Sequence, residues 1–316
     1  MEFIGKLSSI LFSPFGGLAK IDGAANIYSL VGCLLFCIFI LQVAKTAPLA
    51  KKVPAAIHKI LPQNMWNQKT LWLDVKLYAV NTVILAALAV LFGISGDWLR
   101  LELYAAMSAI FGHANGFELG VWPFRIIATL CSFIAFEFGF WLSHYLLHKV
   151  GFLWRAHELH HSATAMTPLT GSRQHPIEVI LIAVCLAFSA AFTQAVLDRL
   201  FGQGNVEYQF FGTNVVLFLY AQTIDNLRHS HLWFPFTGPI SAILLSPAHH
   251  QMHHSSDISH QQHNFGLATT LFDRLFGTLE MPGPEPVQNF GTPDNPYIDA
   301  GIIEAYLKPF RSTTKD

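Results

Sequence analysis

The sequence predicts an all-α protein, built as a polytopic helical membrane stem with a histidine-rich cap. Three observations carry this prediction. The 316-residue chain is 52% hydrophobic and only 12% charged, whereas a soluble domain has roughly 25% charged residues. Several apolar runs reach the length of about 20 residues that a spanning helix needs. Finally, 14 of the 16 histidines lie between His144 and His263.

Five apolar segments are predicted to cross the membrane as helices. They cover roughly residues 26–44, 75–95, 123–143, 177–197 and 207–225. Within the loop 96–122, the apolar run 101–111 is expected to lie in the interface or to dip into the membrane. The stretch 232–246 is also expected to be interfacial or re-entrant, because Pro235 and Pro239 interrupt it.

Charge predicts the orientation of these spans. The loop after the first span carries five lysines between positions 45 and 69, and the positive-inside rule places it in the cytoplasm. Counting spans from there puts every histidine cluster on the cytosolic side and loops 96–122 and 198–206 on the other. An integral protein of the bacterial inner membrane or the endoplasmic reticulum is expected. The net charge of -1 gives no reason to expect a nucleic-acid partner.

The histidine clusters have the spacing of one helix face. They are His144/His148, His157/His160/His161 and His250/His253/His254. Imidazole is the commonest protein metal ligand, and this many imidazoles exceed the capacity of one ion, so the cap is predicted to hold a dimetal site. Imidazole suits zinc, copper, iron and nickel alike. A site against the bilayer favours a lipid substrate, whose C–H bonds require activated oxygen, and this favours iron over redox-inert zinc.

Seven segments resemble the fatty acid hydroxylase/sterol desaturase superfamily, a group of membrane histidine-box di-iron oxidases. They are FGFWLSHYLLH at 138–148, LWRAHELHHS at 153–162, RQHPIE at 173–178, RHSH at 228–231, SPAHHQMHH at 246–254, HNFG at 263–266 and FDRLFGT at 272–278. Tyr145 is a departure, because the family often has Arg after the first box histidine. The resemblance covers roughly residues 125–280. The chain is therefore expected to comprise N-terminal membrane spans and loops at 1–125, a catalytic domain of the fatty acid hydroxylase type at 126–280 and a C-terminal tail at 281–316.

The resemblance also implies the metal ligands of a non-haem di-iron centre. They are His144, His148, His157, His160, His161, His229, His250, His253 and His254. Further candidates for binding metal or supporting its ligands are His175, His231, His249, His263, Glu137, Arg173 and Glu178. Glu137 is expected to accept a hydrogen bond from a ligand imidazole, with direct ligation or pairing with Arg125 as alternatives. Arg173 and Glu178 are expected to orient His175 or to close the cap, or to form a plain interfacial ion pair.

The function that the resemblance implies is oxidation of a membrane lipid, such as a sterol or fatty acid, by hydroxylation or desaturation. Two irons and O2 are the expected cofactor and co-substrate, and zinc can replace iron during purification. The chain shows no dinucleotide-binding motif or haem module, so a separate ferredoxin or cytochrome with its reductase is expected to supply electrons. A metal transporter or sensor is the alternative, although transporters hold their ligands near the bilayer midplane. A third hypothesis is that the chain is a catalytically inactive relative with a structural role.

Overall fold

The computed structural model describes residues 31–32, 35–36, 69–112, 116–202, 207–210 and 212–311. The α-helices within these ranges are α1 (Lys69–Phe111), α2 (Val121–Lys149), α3 (Gly151–His161), α4 (Pro176–Phe201), α5 (Val215–Tyr220), α6 (Asn226–Arg228), α7 (Pro247–His253), α8 (Leu271–Leu275) and α9 (Ile302–Leu307). Short 3-10 turns cover Pro168–Ser172, Gly238–Ala242, His260–Gln262 and Lys308–Phe310, and Ala221–Asp225 form a π-helical turn. Strands β1 (Gln209–Phe210) and β2 (Thr213–Asn214) pair as a small antiparallel hairpin.

The stem consists of long helices, with α4 packed against both α1 and α2. Among the described residues, α2 and α4 are long and apolar enough to cross a membrane, and they contain the predicted spans 123–143 and 177–197. The two helices approach closely at Gly139, where a Cβ atom would lie 2.9 Å from the carbonyl oxygen of Cys185. Glycine is therefore required at this contact.

Helix α1 differs from the prediction. It contains the predicted span 75–95 but continues without a break to Phe111, so the apolar run 101–111 is part of one helix and not a separate re-entrant segment. At 1.5 Å per residue the helix is roughly 65 Å long, about twice the hydrocarbon thickness. Arg199 holds its end by donating to the carbonyl oxygens of Phe111 and Gly112. The predicted span 26–44 lies outside the described residues apart from 31–32 and 35–36.

The predicted fifth span, 207–225, is wrong as a continuous helix. It begins with the β1–β2 hairpin, where Tyr208 and Asn214 are hydrogen-bonded to Thr129 of α2. The helical part covers only Val215 to Arg228, roughly 20 Å, which is too short to cross the hydrocarbon core alone. The segment nevertheless returns along α2 to the end where α2 reaches His144.

A buried arginine joins the cap to the stem. Arg173 is fully buried, and its Nη1 lies 2.8 Å from Asp74 Oδ1 and donates to the carbonyl oxygen of Thr70 on α1. Its Nε donates to the carbonyl oxygen of Leu159 and to Ser162 Oγ at the end of α3. The side chain closes the cap onto α1, which is one of the predicted roles, and its charge is compensated by a buried carboxylate as burial requires.

The polar region after residue 281 folds back onto the cap. Tyr297 and Ala305 are buried in a cluster with Leu73 and Leu77 of α1 and Leu159 of α3. The carbonyl oxygen of Tyr306, next to this cluster, receives a hydrogen bond from a histidine described below. The C-terminal residues thus cover the junction of α1 and α3.

Candidate metal centre

Histidines from α2, α3, the end of α6 and α7 converge inside the cap. The first group is His144, His148, His157, His161 and His253, and the second group is His160, His229, His250 and His254. Within each group, one ring nitrogen per side chain lies within 4.8 Å of the others. The nine predicted ligands are the members of these two groups, and all except the half-buried His229 are buried.

The second group has spacings that fit one metal ion. The Nε2 atoms of His229 and His250 are 2.9 Å apart, those of His250 and His254 are 3.1 Å apart, and those of His229 and His160 are 3.3 Å apart. Nitrogens bound at about 2.0–2.1 Å to a tetrahedral or octahedral ion are separated by roughly 3.0–3.4 Å at neighbouring positions. The same atoms that contact one another could therefore surround an ion with little movement.

The first group contains buried ring nitrogens that have no hydrogen-bond partner in the described part of the chain. The Nε2 atoms of its five histidines are buried and have no hydrogen-bond partner among the described residues. Buried polar atoms are nearly always satisfied in folded proteins, and exceptions point to a function or a bound ion. The two groups adjoin, since the rings of His161 and His254 stack with centroids 4.4 Å apart. The donor set thus fits two neighbouring ions of a nitrogen-binding metal.

The histidines of the cap are held in their neutral form. Burial lowers the pKa of His157 to about 3 and that of His160 to about 4. The pKa values of His161, His253 and His254 are also held well below the ordinary value, first by burial and then by neighbouring imidazoles. Because a metal binds the deprotonated ring nitrogen, these side chains are ready to bind near neutral pH without first losing protons.

Main-chain carbonyl groups orient two imidazoles of the first group. The Nδ1 of His144 donates to the carbonyl oxygen of Phe265 at 2.9 Å, and that of His253 donates to the carbonyl oxygen of His263 at 2.7 Å. With the proton at Nδ1, the lone pair is at Nε2, which faces the other members of the group. Such contacts fix the tautomer and the direction of a metal-binding ring.

Two carboxylates hold the segment that provides these carbonyl groups. Glu137 accepts hydrogen bonds from the main-chain nitrogens of Ala268 and Thr269 and from Thr269 Oγ1. Asp273 accepts from the main-chain nitrogens of Phe265 and Gly266. The predicted hydrogen bond from a ligand imidazole to Glu137 is therefore replaced by bonds to the main chain, which hold the segment beside His144. Asp273 holds the turn at Phe265 and Gly266 in the same way.

Glu178 lies beside a histidine of the first group. Its Oε1 is 3.1 Å from Nδ1 of His157, and both side chains are buried. The predicted partner was His175, which lies three residues earlier in the sequence. Helix α4 instead directs Glu178 towards α3, where its carboxylate lies beside Nδ1 of His157 without the alignment of a hydrogen bond. A negative charge at this position would favour the tautomer with the proton at Nδ1 and the lone pair at Nε2.

We expect Glu178→Gln to reduce metal affinity or turnover by about 10- to 100-fold, the usual effect of losing a carboxylate that supports a ligand. The amide keeps the size of the side chain but removes the charge that favours this tautomer. Metal titration of the purified protein, with His263→Ala as a control, measures the effect. Unchanged affinity and turnover would show that the contact with His157 is incidental.

Arg228 was not among the predicted site residues. It is buried and donates from Nη2 to Nδ1 of His250 at 3.0 Å and to the carbonyl oxygen of Gly266 at 3.2 Å. A guanidinium group can only donate, so His250 accepts at Nδ1 here and carries its own proton at Nε2. Binding of an ion at Nε2 would therefore require this contact with Arg228 to open. The sequence signal for Arg228 was its place in the motif RHSH at 228–231.

The remaining candidates lie outside both groups. His175 caps the start of α4, because its Nδ1 accepts from the main chain of Ile177 and its Nε2 donates to the carbonyl oxygen of Tyr306. His249 is buried with Nδ1 against Ser246. His263 is half-buried and contacts Glu280, and His231 is exposed. The two histidines outside the clustered region, His58 and His113, lie outside the described residues.

Comparison with known proteins is consistent with this geometry. Residues 129–278 match the fatty acid hydroxylase family, a range that contains all the motifs that carry the resemblance. An alkylglycerol monooxygenase from Homo sapiens is 25% identical over 166 residues, or 52% of this chain and 34% of that protein. An ornithine lipid hydroxylase from Rhizobium tropici is 28% identical over 193 residues, or 60% of this chain and 52% of that protein.

These matches are partial. The chain spans about a quarter to a half of the length of the curated relatives it matches. No solved structure matches the chain. The comparisons nevertheless confirm the resemblance to the superfamily that the motifs indicated.

Proposed function

Because the chain carries a fatty acid hydroxylase domain at residues 129–278, we propose that it oxidises a membrane lipid with O2 at a non-haem di-iron centre. The names of the relatives, a monooxygenase and a hydroxylase, favour insertion of oxygen over desaturation. In hydroxylation, one C–H bond becomes C–OH, and the second oxygen atom leaves as water after taking up two electrons and two protons.

The observation that carries the proposal is the pair of adjoining histidine groups. Five imidazoles in one group and four in the other could each hold one iron. Bound iron would supply the activation of O2 that an unactivated C–H bond requires. We infer two ions and not one because the nine ring nitrogens form two separate groups, of five and of four.

The chain itself prepares the site in three ways. Burial excludes water from the ligand nitrogens and keeps the imidazoles neutral. The carbonyl groups of Phe265 and His263, braced by Glu137 and Asp273, fix the rings of His144 and His253. Arg173 holds α3 against α1, so His157, His160 and His161 stay opposite the end of α2.

We also propose that the centre faces the cytoplasm, where a separate ferredoxin or cytochrome would deliver electrons. The lysines between positions 45 and 69 support this orientation through the positive-inside rule. The absence of a dinucleotide-binding motif from the sequence supports a separate donor. The end of α2, the start of α4 and the end of α6 all meet at the histidine groups, as the predicted topology requires.

Lipid mass spectrometry of cells that express the chain tests the proposal. Wild type should produce lipids heavier by one oxygen atom, and ether-linked glycerolipids and ornithine lipids are the first to examine because the relatives' names point to them. Cells with His253→Ala serve as the matched control. Loss of two hydrogen atoms would identify a desaturase. No change in any lipid with iron-loaded protein and a working electron donor would contradict lipid oxidation.

A further inference from the structure

One face of α2 is apolar and uncovered along most of its length. The exposed residues, at four-residue spacing, are Trp122 (69% exposed), Ile126 (53%), Leu130 (53%) and Ile134 (38%). Residues four apart lie on the same helix face. At the next position, Phe138 is covered by the ring of Phe272 on α8, with centroids 5.2 Å apart. The uncovered stripe therefore ends where α8 begins.

Aromatic residues mark the two ends of this stripe. Trp122 stacks on Tyr208 at one end, and Trp141 stacks on Tyr145 at the other. The two tryptophans are 19 positions apart, or roughly 28 Å along a helix, which matches the hydrocarbon thickness of about 30 Å. Tryptophan and tyrosine concentrate at membrane interfaces, and Trp122 with Tyr208 suits one. Trp141 is itself buried, and the exposed Phe276 that stacks on it presents the apolar surface at this end. His144 lies three positions after Trp141, within the second aromatic pair.

Next to Trp141, two chain segments expose further large apolar side chains. We call them the interfacial patch: Ile240 (56% exposed), Ile243 (65%), Leu271 (44%), Leu275 (69%) and Phe276 (51%). Hydrogen bonds from the main chain of Thr270 to Ile243 and from Arg274 Nε to Ala242 join the two segments. Phe276 stacks on Trp141 with centroids 4.3 Å apart, so the patch continues the stripe of α2.

We propose that the interfacial patch is seated in the lipid leaflet on the side of the histidine groups. The proposal rests on the membrane setting of the proposed function and adds an attachment of the cap to the bilayer beside the spanning helix α2. Large contiguous apolar surfaces are rare on soluble faces, and this one is continuous with the lipid-facing stripe. Lipid is therefore the partner whose chemistry fits it.

The position of Arg274 agrees with a patch that lies at the level of the lipid headgroups. Its side chain is exposed and lies beside the patch, hydrogen-bonded to the carbonyl oxygen of Ala242. A cation next to apolar side chains is the arrangement expected at the level of the lipid headgroups, where anionic lipids attract it. The patch would then hold His144 and its group just outside the hydrocarbon core.

Spin-label accessibility tests this seating. Nitroxides are attached to Ile243→Cys and Leu275→Cys in a background with the four native cysteines replaced by alanine, and the chain is placed in phospholipid nanodiscs. Ile258→Cys is the matched control, because Ile258 is a similarly exposed apolar residue (60%) on the loop after α7. Leu130→Cys reports the lipid-facing stripe, and Leu271→Cys replaces either test variant that does not accumulate.

Labels at Ile243 and Leu275 should resemble the label at Leu130, with high accessibility to O2 and low accessibility to a water-soluble nickel chelate. The label at Ile258 should show the reverse. Nickel accessibility at both test positions equal to that at Ile258 would overturn the proposal. Spin–spin broadening that disappears on dilution with unlabelled chain would overturn it in favour of a second copy. Either result with lipid oxidation intact would leave the proposed function standing.

Discussion

Removal of one imidazole from either histidine group should abolish turnover. We expect His253→Ala in the first group and His160→Ala in the second to lower lipid oxidation by at least about 100-fold, more than is usual for residues that only support a ligand. Each side chain directs its Nε2 into its group, and the others are too closely packed to replace it. Each variant should also lose about one of two irons per chain, measured by metal analysis of iron-replete protein.

His263→Ala is the matched control for this pair. His263 lies in the same region of the cap, but its side chain is only half-buried and contacts Glu280 and the main chain of Ser259. Its main-chain carbonyl, which receives the bond from His253, is kept in the variant. Turnover should stay within a few-fold of wild type. Full iron content in both His253→Ala and His160→Ala would contradict the two-ion assignment.

Replacement of Arg173 should have the largest effect on stability. Arg173→Met leaves the carboxylate of Asp74 buried without its cation, and breaking a buried pair in this way costs about 3–5 kcal/mol. It also removes the donors that join Thr70 of α1 to Leu159 of α3. We therefore expect a lower free energy of unfolding, detected as earlier thermal unfolding in detergent, and a loss of bound iron as α3 detaches.

Two further variants make the measurement specific. Arg155→Met, at a half-buried arginine of α3 that lies over the ring of Phe152, should change stability by much less. Adding Asp74→Asn to Arg173→Met should recover part of the loss, because the unpaired buried charge is then removed. If Arg173→Met unfolds at the same temperature as wild type, the Asp74–Arg173 pair does not hold the cap to the stem.

Local spacing made eight of the nine histidines predictable, and the family resemblance added His229. Within a helix, residues three and four positions apart share one face, so each histidine cluster pointed to a common site before any fold was known. Hydropathy likewise located α2 and α4, because each contains a run long enough to span a membrane. The extent of α1 was less predictable, since a 43-residue helix exceeds what the membrane requires.

Contacts between distant segments were decided only by the tertiary structure. Glu137 and Ala268, which share a hydrogen bond, are 131 positions apart in the sequence. His175 and Tyr306 are also 131 positions apart. No sequence period predicts which carbonyl group a buried acid or imidazole will meet. Glu178 illustrates this, because its sequence neighbour His175 became a helix cap while its carboxylate reached His157 on another helix.

The sequence by itself determined the resemblance to the fatty acid hydroxylase family, the long helices α2 and α4, and the nine histidines that meet in the cap. The tertiary structure alone decided how those histidines divide into two groups, which side chains orient them, and that residues 207–214 form a hairpin. The physical reason is that hydropathy and helical spacing act over a few turns of chain. The division of the ligands depends instead on how α2, α3 and α7 pack, through hydrogen bonds and buried charges that join residues far apart in sequence.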